Sequence, residues 1–149
     1  MVSNLLRQGL WTHLMQGASA MLVESPSVLI TDDDRDFRET LRVVFEPEGF
    51  NTILASDGEE ALRIVCTQEV HLVLLDMHMP KLTGLETLRR LKRLKSMLPC
   101  ILLSAQLDEL IIEQARLAQA FSILAKPITR RQLTGVVRQA LQRTYDWRG

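Results

Sequence analysis

The sequence lacks three features that would assign it to a specialised class of protein. It has only two cysteines, Cys66 and Cys100. Since each falls inside a predicted element without metal-ligand spacing, both are expected to be buried free thiols in a reducing compartment. Its 18 basic residues balance 18 acidic residues, so no global charge points to nucleic acid or an anionic membrane as a partner. No stretch reaches the roughly 18 consecutive apolar residues of a membrane helix.

The N-terminal residues do not form the continuous apolar core of a signal peptide. Polar residues interrupt them at Arg7, Gln8, His13 and Gln16. Leu6, Leu10 and Leu14 repeat at helical spacing and predict a helix over 3–16. That helix is either a dimerisation or partner-binding element or a short extension without a role of its own. Met21 leaves open a later start of translation.

Short apolar runs bounded by polar residues predict the strands of a sheet that is buried on both faces. The runs lie at 28–30, 50–55, 72–75, 100–103 and 121–125. Each is followed by apolar residues at helical spacing, at 36–46, from Asp57 onward, and at 85–95, 108–119 and 129–143. This alternation predicts an α/β domain with a parallel sheet, helices on both faces and right-handed crossovers.

Polar residues and a glycine mark where predicted helices begin. Asp57 with Glu60 and Thr129 with Gln132 form the pattern of a capping box, in which each side chain bonds a backbone N–H of the other residue. Asp57 is therefore assigned a structural role. Gly84 is expected to permit the turn that precedes the helix at 85–95.

Two predicted helices have surfaces that bear on possible partners. The helix at 85–95 has an apolar stripe of Leu85, Leu88, Leu91 and Leu94. Basic residues cover its remaining faces, which indicates a solvated surface more simply than a nucleic-acid patch, because no aromatic residues are interleaved. The apolar face of the helix at 108–119 centres on Leu107, Leu110, Ile111 and Ala118. Ile112 lies off that face and is a candidate partner contact.

Polar residues follow four of the predicted strands at the point where each strand ends. They are Asp32, Asp33, Asp76, Ser104 and Lys126. Taken alone, each is as well explained by a helix cap or a turn. The carboxyl ends of parallel strands lie at one edge of a sheet, and ligands of open α/β sheets bind at that edge. Together, these five residues therefore predict an acidic pocket with a hydroxyl and an ammonium beside it.

Three carboxylates in one pocket repel one another unless a cation or a proton compensates them. Mg²⁺ prefers oxygen ligands, and Asp33, Asp76 and a backbone carbonyl just after Asp76 can supply them. A metal ion, a lysine and a hydroxyl together can hold a phosphoryl group, and a carboxylate can attack phosphorus to form an acyl phosphate. The residue types are therefore sufficient for aspartyl phosphorylation.

Residues 27–143 resemble the receiver domain of the two-component response regulators. The resemblance is carried by Val28-Leu29-Ile30-Thr31-Asp32-Asp33-Asp34, by Leu74-Leu75-Asp76-Met77-His78-Met79-Pro80 with Gly84, by Leu102-Leu103-Ser104-Ala105 and by Lys126-Pro127. It implies a flavodoxin-like fold with strand order 2-1-3-4-5. Residues 1–26 are then an N-terminal extension and residues 144–149 a C-terminal tail, with Trp147 outside the domain.

The resemblance also implies a role for each residue of the pocket. Asp76 matches the phosphoacceptor, Asp33 the direct Mg²⁺ ligand and Asp32 a ligand that often acts through water. The carbonyl of His78 matches the third protein ligand, and Mn²⁺ is an alternative to Mg²⁺. Ser104 and Lys126 match the hydroxyl and the ammonium that bind the phosphoryl group, and the Lys126–Pro127 peptide is expected to be cis.

The sequence departs from the family pattern at the switch position. Ile123 stands where the family usually has an aromatic residue, and Phe121 lies too early to replace it. His78 and Gln106 occupy the positions whose side chains tune acyl-phosphate hydrolysis in this family, although His78 is equally well explained as a passive surface residue.

These observations predict a cytoplasmic, stand-alone receiver that takes a phosphoryl group from a sensor histidine kinase or a phosphotransfer protein. It would catalyse only its own phosphorylation and slow dephosphorylation. It would act on an unknown downstream protein, without direct nucleic-acid or membrane binding, and homodimerisation stays open. Residues 144–149 are too few for an output domain. The alternative is a phosphorylation-independent adaptor that uses the N-terminal helix or the Ile112 face. A haloacid-dehalogenase-type hydrolase is excluded, because His78 stands where that class needs a second aspartate.

Overall fold

The computed structural model describes residues 23–149, and the helix predicted at 3–16 lies outside that range. The strands are β1 (Ser27–Thr31), β2 (Asn51–Ala55), β3 (Leu72–Asp76), β4 (Cys100–Ser104) and β5 (Ser122–Ala125). The helices are α1 (Arg35–Phe45), α2 (Gly58–Thr67), α3 (Gly84–Leu94), α4 (Glu109–Leu117) and α5 (Arg130–Tyr145), with a 3-10 turn at Glu46–Glu48. Within the described residues, no helix combines the length and apolarity needed to cross a membrane.

The strands form a parallel sheet in the order β2-β1-β3-β4-β5, which confirms the predicted flavodoxin-like topology. The strand ends stay in register across the sheet. Thr31 pairs with Leu75, and Asp76 pairs with Leu103. The residues that follow β1, end β3 and β4 and follow β5 therefore meet at one edge, here called the carboxyl edge.

The sheet is buried on both faces because successive side chains of a strand point to opposite sides. One face packs against α1 and α5 to form the α1–α5 core, which includes Ile30, Leu74, Phe45 and Val137. The other face packs against α2, α3 and α4 to form the α2–α4 core, which includes Leu75 and Leu88 as well as Ala61 and Ala115. The prediction of helices on both faces is confirmed.

The predicted caps start helices α2 and α5. The Asp57 carboxylate accepts the N–H of Glu60 at 2.8 Å, and the Thr129 hydroxyl accepts the N–H of Gln132 at 3.1 Å. Such caps typically contribute about 1 kcal/mol. The Glu60 carboxylate does not complete a capping box, because it accepts the hydroxyl of Ser56 at 3.0 Å.

Gly84 has a different role from the predicted turn. It is the first residue of α3, and Thr83 caps that helix. A Cβ at Gly84 would collide with the Asp76 carbonyl oxygen and lie 2.8 Å from Met77 Cα. Glycine is required because α3 begins directly against the end of β3, which fixes the backbone of Asp76.

The prediction that both cysteines are buried is wrong for Cys66, which is exposed on α2. Cys100 is buried in β4, and burial raises the pKa of its thiol to about 12. The stripe on α3 is also shorter than predicted, since Leu94 is 52% exposed. In both helices the misassigned residue lies in the last turn.

The predicted apolar face of α4 is partly wrong. Leu107 is 40% and Leu110 is 67% exposed, whereas Ala115 is buried. Ile111 and Ala118 pack against the α2–α4 core as predicted. Three consecutive apolar residues at 110–112 made the helical phase ambiguous, and small Ala115 lets the helix approach the sheet closely. Ile112 is exposed, as predicted.

Trp147 lies inside the domain rather than outside it. It is 7% exposed in the α1–α5 core, and its ring centroid is 5.3 Å from that of Phe50. Arg138 lies beside both rings, at 5.7 Å from Phe50 and 5.6 Å from Trp147, and pairs with Glu48 at 2.9 Å. The residues after α5 therefore pack against the start of β2.

Candidate functional site

The carboxyl edge brings Asp32, Asp33, Asp76 and Lys126 together, as predicted. Asp32 directly follows β1, and Asp76 is the last residue of β3. Lys126 directly follows β5, where its backbone N–H donates to the Ser104 carbonyl at 2.7 Å. Each of these side chains thus comes from the end of a strand or the loop directly after it, which the buried sheet holds in place.

Three carboxylates form an acidic cluster at this edge. One oxygen from each of Asp32, Asp33 and Asp76 lies within 4.8 Å of the others. Asp32 is 2% and Asp76 is 6% exposed, while Asp33 faces solvent. An all-oxygen donor set that is open on one side fits a hard divalent cation such as Mg²⁺.

Asp32 is the most constrained member of the acidic cluster. Its Oδ1 accepts the N–H of Asp34 at 2.9 Å, and its carbonyl accepts Nη1 of Arg38 at 2.6 Å. Burial raises the pKa of Asp32, and the Asp76 charge adds to that rise. The Asp34 N–H and Lys126 oppose it without cancelling it. Because burial is the largest cause, the raised pKa means chiefly that the Asp32 carboxylate has lost solvation that its partners do not fully replace.

Lys126 supplies the positive charge of the site. Its Nζ donates to Asp76 Oδ1 at 3.1 Å and to Asp32 Oδ2 at 3.2 Å. Burial lowers its pKa, but the bond to Asp76 and the charges of both aspartates outweigh burial, so the pKa is raised. The ammonium also lies 4.3 Å from the centre of the Phe37 ring. The Lys126–Pro127 peptide is cis, as the resemblance implied.

Ser104 is at the same edge but is engaged elsewhere. Its buried hydroxyl donates to the Gln106 carbonyl and accepts the Gln106 N–H at 3.2 Å. The hydroxyl therefore holds the start of the loop between β4 and α4. It must leave the Gln106 carbonyl before it can donate to a ligand at Asp76.

Residues 28–138 match the model of the family described as "Response regulator receiver domain". The chain belongs to this family. The receiver domain is 37% identical over 118 residues to the transcriptional regulatory protein CpxR of Escherichia coli. The matched residues make up 79% of this chain and 50% of CpxR. The chain spans about half the length of the curated relatives it matches.

Solved structures of receiver proteins are similar over nearly their whole length. A receiver domain from Clostridium thermocellum is 30% identical with a TM-score of 0.74, covering 79% of this chain and 95% of that one. The response regulator TrrA from Thermotoga maritima, solved in complex with Mg²⁺-BeF, is 29% identical with a TM-score of 0.71. That match covers 77% of this chain and 98% of TrrA.

His78 and Ile123 occupy the two positions where the family resemblance raised questions. The His78 side chain is exposed in the loop between β3 and α3, and this loop is anchored where the Gly84 N–H donates to the Met77 carbonyl at 3.1 Å. Ile123 is half-buried against the α2–α4 core. The metal-binding role of the His78 carbonyl and the effect of Ile123 on switching stay predictions.

Two residues that contact the predicted site residues, Phe37 and Arg38, were not predicted from the sequence. Phe37 counted only as one of the apolar residues at helical spacing in 36–46, and Arg38 was not singled out. The available signal was their position in the first turn of α1, which begins at the carboxyl edge.

Proposed function

We propose that this receiver domain accepts a phosphoryl group on Asp76 and signals through contacts with another protein. The observation that carries the proposal is the buried Asp76 carboxylate at the end of β3, 3.1 Å from the Lys126 ammonium and beside two further carboxylates. A carboxylate is a competent nucleophile toward phosphorus when positive charge stabilises the transferring group.

In the transfer, an Asp76 carboxylate oxygen forms a bond to phosphorus while the bond between phosphorus and the donor breaks. The electron pair of the broken bond leaves with the donor, which is a histidine nitrogen for a kinase or phosphotransfer protein and acetate for acetyl phosphate. Lys126 is already bonded to Asp76 Oδ1, so it can bond a phosphoryl oxygen with a small movement. The Ser104 hydroxyl can donate to another once it leaves the Gln106 carbonyl.

Asp33, Asp76 and the His78 carbonyl would hold Mg²⁺ directly, with Asp32 acting through water and Mn²⁺ as an alternative ion. When bound, the ion would offset the charge of the carboxylates and of the incoming phosphoryl group. Two observations support a metal ion at this site. They are the cluster of three carboxylates and the 29% identity to TrrA, which was solved in complex with Mg²⁺-BeF.

The proposed partners are a histidine kinase or phosphotransfer protein and a downstream protein, in the cytoplasm. The chemistry is limited to phosphorylation and slow dephosphorylation of the domain itself. A constitutive adaptor is the second candidate, because α4 presents exposed apolar side chains at Ile112 and also at Leu110 and Leu117, which are each 67% exposed. Phosphorylation-dependent partner binding separates the two.

Intact-mass measurement after incubation with acetyl phosphate tests the proposal. We expect the wild type to gain one phosphoryl group only when Mg²⁺ is present, and Asp76→Asn to gain none. Asp57→Asn is the matched control, since that aspartate caps α2 and should leave phosphorylation unchanged. Failure of the folded wild type both to gain the mass and to bind beryllofluoride would overturn the proposal in favour of the adaptor.

A further inference from the structure

The Phe37 ring is placed against the Lys126 ammonium by the start of α1. Phe37 lies in the first turn of that helix, and its N–H donates to the capping carboxylate of Asp34 at 3.3 Å. The ring is half-buried and packs against the α1–α5 core. Its position therefore depends on the cap and the core, and not on the charges of the site.

The Lys126 ammonium has three neighbours that attract it. Asp76 Oδ1 lies at 3.1 Å, Asp32 Oδ2 at 3.2 Å and the centre of the Phe37 ring at 4.3 Å. A lysine has a flexible four-carbon stem, and the Lys126 side chain is 25% exposed, so alternative rotamers toward solvent compete with this position. The negative face of an aromatic ring attracts a cation, most strongly where water is partly excluded.

The ring differs from the two aspartates in one respect. Phosphorylation of Asp76 or metal binding by the carboxylates changes the partners of Lys126, whereas the attraction of the ring stays the same. We propose that Phe37 is a positioning residue that keeps the Lys126 ammonium beside Asp76 while its carboxylate partners change. This inference deepens the proposed function. Its effect on the phosphorylation rate rests on that proposed function, whereas the position of Lys126 does not.

Phe121 provides a matched comparison within the chain. It is also half-buried and packs against the α1–α5 core, and a cation, Arg143, lies 5.9 Å from its ring centre. Phe121 precedes β5 at the edge opposite to the site. A change from phenylalanine to leucine at either position removes a ring from the same core, but only Phe37 faces Lys126.

The first test is the rate of phosphorylation by acetyl phosphate with Mg²⁺. We expect Phe37→Leu to slow the wild-type rate by about 3- to 10-fold, the range that loss of a partly shielded cation–π contact implies. Phe37→Trp restores an aromatic face and should stay within about 2-fold of the wild type. Phe121→Leu should leave the rate unchanged. Phe37→Met serves as a second non-aromatic variant if Phe37→Leu does not fold.

The second test is the NMR chemical shift of the side-chain protons of Lys126, which needs no phosphoryl donor. The Phe37 ring should shift these protons upfield, and the shift should be lost in Phe37→Leu but kept in Phe37→Trp and Phe121→Leu. An unchanged shift in Phe37→Leu, or equal slowing by the Leu and Trp variants, would overturn the inference. If the wild type takes no phosphoryl group, the proposed function fails, and the shift alone then decides whether the Phe37 ring lies over Lys126.

Discussion

The two edges of the sheet differ in how their buried polar groups are compensated. At the carboxyl edge, Lys126 is shared between Asp32 and Asp76, and the pKa of Asp32 remains raised, primarily by burial. At the opposite edge, the Ser27 N–H donates to His71 Nδ1 at 2.9 Å, and the Tyr145 hydroxyl donates to the His71 carbonyl at 2.8 Å. At the carboxyl edge three carboxylates face one ammonium, so a ligand can relieve their repulsion. The opposite edge is closed by paired groups, which include these hydrogen bonds, aromatic packing and the Arg138–Glu48 ion pair.

The largest effect is expected at the closed edge. Trp147→Ala removes a ring that is 7% exposed and should lower the free energy of unfolding by about 3 kcal/mol. Chemical denaturation followed by circular dichroism measures this. Leu117→Ala is the control, since that side chain is 67% exposed and its loss should change stability by less than about 0.5 kcal/mol. Equal stabilities for wild type and Trp147→Ala would contradict the burial of the tail.

The next effect concerns the backbone at the carboxyl edge. In Gly84→Ala, the new Cβ meets the Asp76 carbonyl and Met77 Cα, which should cost about 2 kcal/mol and also slow phosphorylation by displacing Asp76. Gly135→Ala is the matched control, because no atom lies within 4 Å of its Cβ position on α5. That variant should gain about 0.5–1 kcal/mol. Parallel thermal melts of the two alanine variants decide whether close packing at Gly84 is real.

Asp32→Asn is expected to raise the free energy of unfolding slightly when no metal is present, which is an effect of opposite sign. Since the pKa of Asp32 is raised in the folded protein, primarily by burial, ionisation of this group opposes folding. Its stabilising contribution is complete below the ordinary aspartate pKa of about 3.9 and is lost as the pH rises through the folded-state pKa. Asp32→Asn should therefore be more stable than the wild type at neutral pH, with a difference that shrinks in acid.

Urea denaturation at several pH values measures that difference. Asp108→Asn is the control, because this aspartate caps α4 in an exposed position and asparagine caps equally well. A loss of stability in Asp32→Asn at neutral pH would show that the pairing with Lys126 outweighs the cost of burying the charge.

The smallest effect on the free energy of unfolding at neutral pH is expected at Tyr145, the single tyrosine of the chain. Burial raises the pKa of its hydroxyl to about 12, and the charges of Cys100 and Glu69 add to this rise. Because the pKa is raised, its contribution to stability is complete below the ordinary value near 10 and is lost between that pH and about 12. A near-ultraviolet tyrosinate titration should reach its midpoint near pH 12, and a midpoint near 10 would contradict burial.

Tyr145→Phe is the companion variant for this titration. It removes the bond to the His71 carbonyl and should cost about 1 kcal/mol at neutral pH. It should also abolish the tyrosinate signal entirely.

The order of helices and strands and most of the site were predictable from the same stretches of sequence. The apolar runs mark the strands, and the polar residues that end these runs mark the site. A run such as Leu72–Leu75 is apolar because it is buried on both faces, and Asp76 stands out because it ends that run. The same logic located Asp32, Ser104 and Lys126. Parallel pairing then brings the four strand ends together without further information.

The features that were missed depend on distances between elements, which spacing along a chain does not contain. Phe37 satisfies the apolar period of α1 whether or not its ring meets a lysine. Gly84 could serve a turn or a close approach, and only the position of α3 against β3 decides. Trp147 follows the last periodic helix residues, so no pattern predicted that it packs on Phe50.

The burial of Trp147 beside Phe50 gives the protein an intrinsic fluorophore at the edge opposite to Asp76. The sequence has a second tryptophan, Trp11. In a Trp11→Phe background, the emission of Trp147 would report the loss of tertiary structure at that edge alone. Because the indole makes its contacts with Phe50 and Arg138, occupation of the acidic cluster should leave the native emission unchanged while moving the unfolding midpoint. The same optical signal can therefore measure ligand affinity through stability, without being quenched or enhanced by the ligand itself.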